Sequence, residues 1–197
     1  MLKLTRAQMA QIEVEAIAQY PQECCGLLLG TLSSRAAPPN NLVSPLQNTT
    51  LKHTTEIWPT ANAWPPEGLA QGSSEFRFLA SPRQHGKGDR FWIAPQDLFK
   101  AQKFARSQNW QLIGVYHSHP DHPAVPSECD RQAAWPEYSY LILSVVAQST
   151  AATVFESPFE SPFESPRVVS CQTWILNPDN QFEPEQLKIQ DPASELA

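Results

Sequence analysis

The run from Trp110 to Tyr116 restricts the fold more than any other part of the chain, because it ends in a pair of histidines. It is mostly apolar, aromatic and β-branched, which reads as a strand. It leads directly into His117-Ser118-His119-Pro120. Residues two apart on an extended chain leave from the same face. Any fold must therefore present two imidazoles side by side at this strand's exit. Asp130 comes eleven residues after His119, with Ser127 three residues before it. Two neutral imidazoles and one carboxylate are a usual ligand set for a catalytic zinc, with the fourth position left to water. A plainer reading stands beside this one. Ser127-x-x-Asp130 also has the form of a helix start, with Ser127 as N-cap and Asp130 in the first turn. The set as a whole, at this spacing, points to a metal site.

The rest of the chain supplies a frame for that strand. Thr5 with Gln8 makes a capping box, and Leu4 with Met9 a hydrophobic staple. A helix is predicted from about Arg6 to Gln19, with Met9, Ile12 and Ala16 as its buried stripe and Pro21 as its stop. Cys24 to Leu32 is nearly continuous in apolar residues and reads as a buried strand. Asn41 to Leu51 holds a further candidate strand, interrupted by Pro45. Arg90 to Ile93 reads as a strand. Pro95 at a first helical position opens a second helix, to about Ser107, with Leu98, Ala101 and Ala105 inward and Phe104 beside them. A short helix comes after Ser127, from Glu128 to Ala134, before Pro136. Tyr138 to Val146 is the most hydrophobic strand, and Arg167 to Leu176 is a last core strand. Helices at the front and middle with strands between indicate a mixed sheet packed by helices, in the α/β (α+β) class.

Two stretches fall outside this pattern and read as insertions. Residues 52–88 are rich in Pro, Gly, Ala and polar residues, contain Trp58 and Trp64, and have one strand-like piece, Glu75 to Ala80. An insertion of this length is either functional, such as a cover for the cleft, or a mobile surface loop. Residues 149–166 include Phe-Glu-Ser-Pro three times from Phe155 to Pro166, whose prolines forbid a helix or an inner strand. We read the repeats as a duplicated, flexible and dispensable loop, with a partner-binding motif as the alternative. The domain is thus expected over 1–177, with 178–197 as a tail carrying at most a short helix near Glu185.

A length of 197 residues suits one domain. The net charge of −6 and the lack of a Lys/Arg cluster argue against nucleic acid. No apolar run approaches the ~20 residues of a membrane helix. The N-terminal segment is amphipathic and carries Glu13 and Glu15, unlike a signal peptide. The four cysteines form no C-x-x-C pair. We expect reduced thiols in a cytoplasmic protein.

His117-Ser118-His119-Pro120, six residues, then Ser127-x-x-Asp130 resembles, without departure, the JAMM signature of the MPN-plus metalloproteases. Pro21 to Gly30 resembles the segment in which that family carries an upstream glutamate, and Glu23 takes that place. The resemblance covers Leu4 to about Asn48 and Asp89 to about Leu176. It implies the MPN fold, with zinc on His117, His119 and Asp130. It implies Glu23 as general base and Ser127 as donor to the developing oxyanion. The family cuts after the C-terminal Gly-Gly of ubiquitin or ubiquitin-like proteins, including sulfur-carrier proteins. The implied partner is therefore a ubiquitin-like or sulfur-carrier protein, and for a simple single-domain form a sulfur carrier or its amino-acid adduct. The alternative is a non-catalytic MPN scaffold, an interaction module. Outside the motif, Asp121, His122, His53 and His85 read as surface residues, Cys129 as packing, and Ser118 as support for the loop.

Overall fold

Thr5 begins the first helix as predicted. Its side chain accepts from the Gln8 N–H at 3.2 Å while Gln8 Oε1 accepts from the Thr5 N–H at 2.8 Å. The computed structural model describes residues 1–34, 50–65, 85–147 and 165–191. In chain order the elements are β1 (Leu2–Thr5), α1 (Arg6–Gln19), β2 (Cys25–Ser34) and β3 (Thr50–Thr60). Then come α2 (Pro95–Ser107), β4 (Gln111–Pro120), α3 (Glu128–Ala133) and β5 (Ser139–Ala147), and last β6 (Pro166–Leu176), β7 (Phe182–Glu185) and β8 (Leu187–Gln190). All the strands join one mixed sheet in the order β7-β6-β5-β4-β2-β3-β1-β8.

Strand periodicity divides the core into two layers, because successive side chains point to opposite faces. Leu28 on β2 packs with Met9, Ile12 and Ala16 of α1 and with Tyr116, Leu141 and Leu143. Its neighbours Leu27 and Leu29 pack against Ala101 and Ala105 of α2. The two helices thus cover opposite faces. Gly26 is required by this packing. It lies opposite Tyr116, and a Cβ there would fall 2.3 Å from the ring. The Tyr116 hydroxyl continues across the layer and donates to Glu15 Oε2 at 2.5 Å.

The expected α1, the buried β2, α2, the strand through Tyr116, the short helix and the strands β5 and β6 are all present. Several expectations need correction. The stretch 52–88 is not an insertion throughout, because Thr50–Thr60 is an interior strand paired with β2 from Cys25↔Thr60 to Ser34↔Thr50. Its polar sequence hid it: of its residues only Lys52 and Ile57 are buried. The first strand, β1, precedes α1 and was not expected. Arg90 to Ile93 is no strand; only Ile93 forms an isolated bridge, to Asn62. The region after Asn177 holds no helix up to Asp191, but two strands.

Those two strands change the shape of the sheet. β7 and β8 lie at opposite edges, yet only Gln186 separates them in sequence. Consecutive Cα atoms are ~3.8 Å apart, so the sheet must roll until its edges meet. Gln186 O accepts from the Leu2 N–H at 2.9 Å, and Glu185 Oε2 accepts from the Ser139 hydroxyl at 2.5 Å. The candidate strand piece Glu75 to Ala80, most of Asn41 to Leu51 and nearly all of the Phe-Glu-Ser-Pro repeats lie outside the described residues. Among the described residues, no helix is long and apolar enough to cross a membrane.

β2 and β3 also approach closely at a bulge. Their register shifts between Leu29 and Gly30, where a Cβ on Gly30 would lie 1.9 Å from the His53 carbonyl oxygen. Gly30→Ala should therefore push two paired backbones apart, costing about 1–3 kcal/mol. In thermal unfolding that is a fall in Tm of about 3–10 °C. An unchanged Tm would mean that the two strands separate without cost.

Candidate metal centre and its cleft

Near the C-terminal end of β4 the two imidazoles share a face, as the spacing requires. His117 Nε2 lies 3.0 Å from His119 Nε2. Asp130, delivered by α3, completes the group: its Oδ1 is 3.5 Å from His117 Nε2 and its Oδ2 is 3.8 Å from His119 Nε2. Three donors bound at ~2.0–2.2 Å to a tetrahedral ion would stand about 3.3 Å from one another. The observed separations bracket that value. His117, His119 and Asp130 are the one group of three metal-ligating side chains found among the described residues.

The charge states suit a cation as well as the distances do. His117 is fully buried. Burial pushes its pKa down to about 4, against the opposing pull of Asp130, so the ring is neutral near pH 7. His119 Nδ1 is 2.8 Å from the Pro123 carbonyl. A carbonyl only accepts, so Nδ1 carries the proton and a neutral His119 keeps the Nε2 lone pair bare. His117 has no matching support: its Nδ1 is buried without a hydrogen-bond partner, while Phe91 stacks on the ring at 4.5 Å. Burial alone would raise the Asp130 carboxyl. The nearby His117 and a hydrogen bond from the Ser127 N–H hold it below the usual carboxylate range.

The two readings of Ser127-x-x-Asp130 prove compatible. Ser127 is the N-cap of α3, with Oγ accepting from the Asp130 N–H at 3.2 Å and Asp130 Oδ2 accepting from the Ser127 N–H at 2.6 Å. The capping box thus aims the carboxylate. Because Ser127 Oγ is the acceptor in that bond, its own proton is free to be donated into the cleft.

Glu23 reaches the same cleft from the other strand. It lies two residues before Cys25, which pairs with His117 across β2 and β4. The side chain is 5% exposed. Burial first, then the charge of Asp130, raise its pKa to about 9. Ser118, between the histidines, faces away and ties the strands together. Its Oγ accepts from the Cys24 N–H at 2.9 Å, and its own N–H donates to the Cys24 carbonyl at 3.1 Å.

Glu23, Ser127 and Asp130 line a cleft of about 470 Å³. Its other walls are largely aromatic and aliphatic: Trp64, Phe91, Trp92, Ile93, Leu98, Val115, Trp135, Tyr138 and Tyr140. Cys129 also lines it and takes no part in the three-donor group. The four cysteines are unpaired. Trp64 and His85, read from sequence as parts of a loop, both take part in building the cleft region. Trp64 is 3% exposed and its Nε1 donates to the His85 carbonyl. His85 Nδ1 contacts Asp89 Oδ2 at 2.5 Å, so His85 is not a solvated surface residue. Asp121 is engaged too, accepting from the Tyr20 hydroxyl at 2.9 Å. Sequence reasoning missed Asn62, Phe91 and Trp92. Their one available signal was the aromatic density of an otherwise polar stretch.

Residues 5–156 match the family described as prokaryotic homologs of the JAB domain. A protein named desampylase from Haloferax volcanii is 40% identical over 60 residues, which take in 30% of this chain and 43% of that relative. The chain thus spans less than half the length of the curated relative it matches. A solution structure of a protein from Desulfitobacterium hafniense is similar at a TM-score of 0.59 and 23% identity, over 97% of this chain and 94% of the other. One from Salinibacter ruber is similar at 0.54 and 26% identity, over 98% and 94%.

The donor geometry leads to a direct expectation. Purified protein dialysed against zinc should retain one ion per chain by elemental analysis. Asp130→Asn, which keeps the shape but removes the charge and replaces one oxygen with an NH2 group, and His119→Ala should both retain close to none, while their far-UV circular dichroism matches the parent's. Stoichiometric zinc in both variants would place the ion elsewhere.

Proposed function

Because the chain belongs to the prokaryotic homologs of the JAB domain, we propose that it is a zinc-dependent hydrolase of the JAMM type. Its substrate would be an amide or isopeptide bond after the C-terminal tail of a ubiquitin-like or sulfur-carrier protein. The observation that carries this reading is the convergence of His117 Nε2, His119 Nε2 and the Asp130 carboxylate within 3.8 Å, beside a buried Glu23 in one cleft. The partial likeness to a protein named desampylase supports the substrate class.

A zinc ion held by these three side chains would supply a water of lowered pKa and a Lewis acid for the scissile carbonyl. The chain's own residues have separate roles. Glu23 takes the proton of the attacking water and returns it to the departing nitrogen, which would otherwise leave as an unstable amide anion. Its burial matters here, because a carboxyl whose pKa is raised to about 9 holds a proton well enough to carry it between two sites. With a zinc ion held beside Asp130 to offset that residue's repulsion, Glu23 would favour the ionised form that a proton acceptor needs. Ser127 directs its free hydroxyl proton at the oxygen where negative charge develops. The aromatic walls exclude water and grip an extended tail.

A non-catalytic scaffold would have no use for a buried carboxyl with a raised pKa beside two converging imidazoles and an oriented carboxylate. The test is cleavage of a panel of Gly-Gly-tailed carriers, bearing an amino acid, a lysine side chain or a peptide, with and without chelator. Cleavage that disappears with chelator and returns with zinc is expected. Glu23→Gln keeps size and hydrogen bonding but removes the base. It should keep zinc while kcat falls by about 10²–10⁴. A kcat within a few-fold of the parent's would make Glu23 structural, and loss of zinc would make it a ligand.

A further inference from the structure

Asn62 belongs to no motif, yet its side chain makes four hydrogen bonds. Nδ2 donates to the Glu23 carbonyl at 3.1 Å and to the Arg90 carbonyl at 2.9 Å. Oδ1 accepts from the Trp64 N–H at 3.0 Å and from the Trp92 N–H at 3.2 Å. A primary amide has two N–H donors and an oxygen with two lone pairs, so this one is saturated. All four residues it holds line the cleft.

The backbone around these residues is held outside the paired strands. The Ala63 N–H donates to the Trp92 carbonyl at 2.9 Å, and next to Glu23 two bonds join Cys24 and Ser118. Glu23 lies before the first paired residue of β2, so no strand ladder fixes it. Its N–H is held by the Lys87 carbonyl at 2.7 Å, and its carbonyl is held by Asn62. Arg90 to Trp92 form no strand, and the bridge at Ile93 again runs to Asn62. Asn62 itself comes just after β3 and is therefore anchored to the sheet. A single side chain thus joins the segment before β2, the segment after β3 and the segment before α2.

We propose that Asn62 is a positioning residue: its amide N–H groups set where Glu23 sits in the cleft, and its oxygen holds the Trp64 and Trp92 wall. The proposal rests on the assignment of Glu23 as proton carrier. The two halves of the amide act on different partners, so they can be separated chemically. Asn62→Asp keeps the acceptors for Trp64 and Trp92 but loses both donors and sets a carboxylate against two carbonyl oxygens. Asn62→Ala loses everything.

The experiment joins amide hydrogen exchange by NMR to kinetics. In Asn62→Asp the Glu23 carbonyl loses its donor while the Glu23 N–H keeps its bond to Lys87. The segment should therefore open more often and the Glu23 amide exchange about five- to tenfold faster, while the Trp64 and Trp92 amides stay protected. In Asn62→Ala all three should speed up. Unchanged exchange at Glu23 in both variants overturns the proposal, whether or not any carrier is cleaved. The kinetic arm uses whichever Gly-Gly-tailed carrier the parent cleaves fastest. Asn62→Asp should lower kcat by about 10–100-fold, as expected for a misplaced catalytic group, with KM within twofold. In a Glu23→Gln background the same substitution should have almost no further effect, since residues acting as one unit are non-additive. An equal fall in both backgrounds would show that Asn62 acts only on stability and overturns the positioning role. Failure of the parent to cleave any carrier would instead count against the proposed function, leaving the exchange result to decide the role of Asn62.

Discussion

The pairing of β2 with β4 is the constraint on which the site depends. Cys25 stands opposite His117, and the reciprocal bonds between Cys24 and Ser118 extend the contact past the ladder. That register brings Glu23 to the end of the sheet where the imidazoles emerge. A slip of one residue would turn every side chain of a strand to the other face, taking His117 and His119 away from Asp130. The register is secured by packing: Tyr116 fits only over Gly26, and Leu28 must face α1 while Leu27 and Leu29 face α2.

Burial then sets the chemistry. Removing His117 from water keeps it neutral, and removing Glu23 from water keeps its proton on. Asp130 is nearly as sheltered, yet hydrogen bonds from Ser127 keep it ionised. Three groups in one low-dielectric site therefore hold different protonation states, each set by its nearest partners rather than by its intrinsic affinity for protons. The helix-start reading of Ser127 and Asp130 and the metal-site reading describe the same bonds. One carboxylate oxygen caps α3 and the pair of oxygens together faces the histidines.

The sheet itself is closed by a segment that looks, in sequence, like a tail. Phe182–Glu185 and Leu187–Gln190 are short and half-exposed, and Pro184 lies within the first, so neither carries a strong strand signal. Each gains its partner from a distant part of the chain, β6 on one side and β1 on the other. β3 is a similar case: it is polar, yet it is an inner strand because β2 and β1 lie on either side of it.

By itself the sequence determined the features that rest on local chemistry. The capping box at Thr5, the buried stripe Met9, Ile12 and Ala16, Pro95 at the start of α2 and the common face of His117 and His119 all come from spacing over a few residues. Asp130 was legible for the same reason, since it comes only eleven positions after His119. Glu23 was legible only through a family resemblance, because nothing local links it to a strand 94 residues later. The tertiary structure alone decided that Thr50–Thr60 lies inside the sheet, that the last two strands close it, and that Asn62 joins three segments beside the cleft. The first two depend on hydrogen bonds between backbone groups common to every residue, and the third on one side-chain amide whose four partners are such backbone groups. Such bonds leave no mark in the order of side chains, and only the folded chain shows which groups meet.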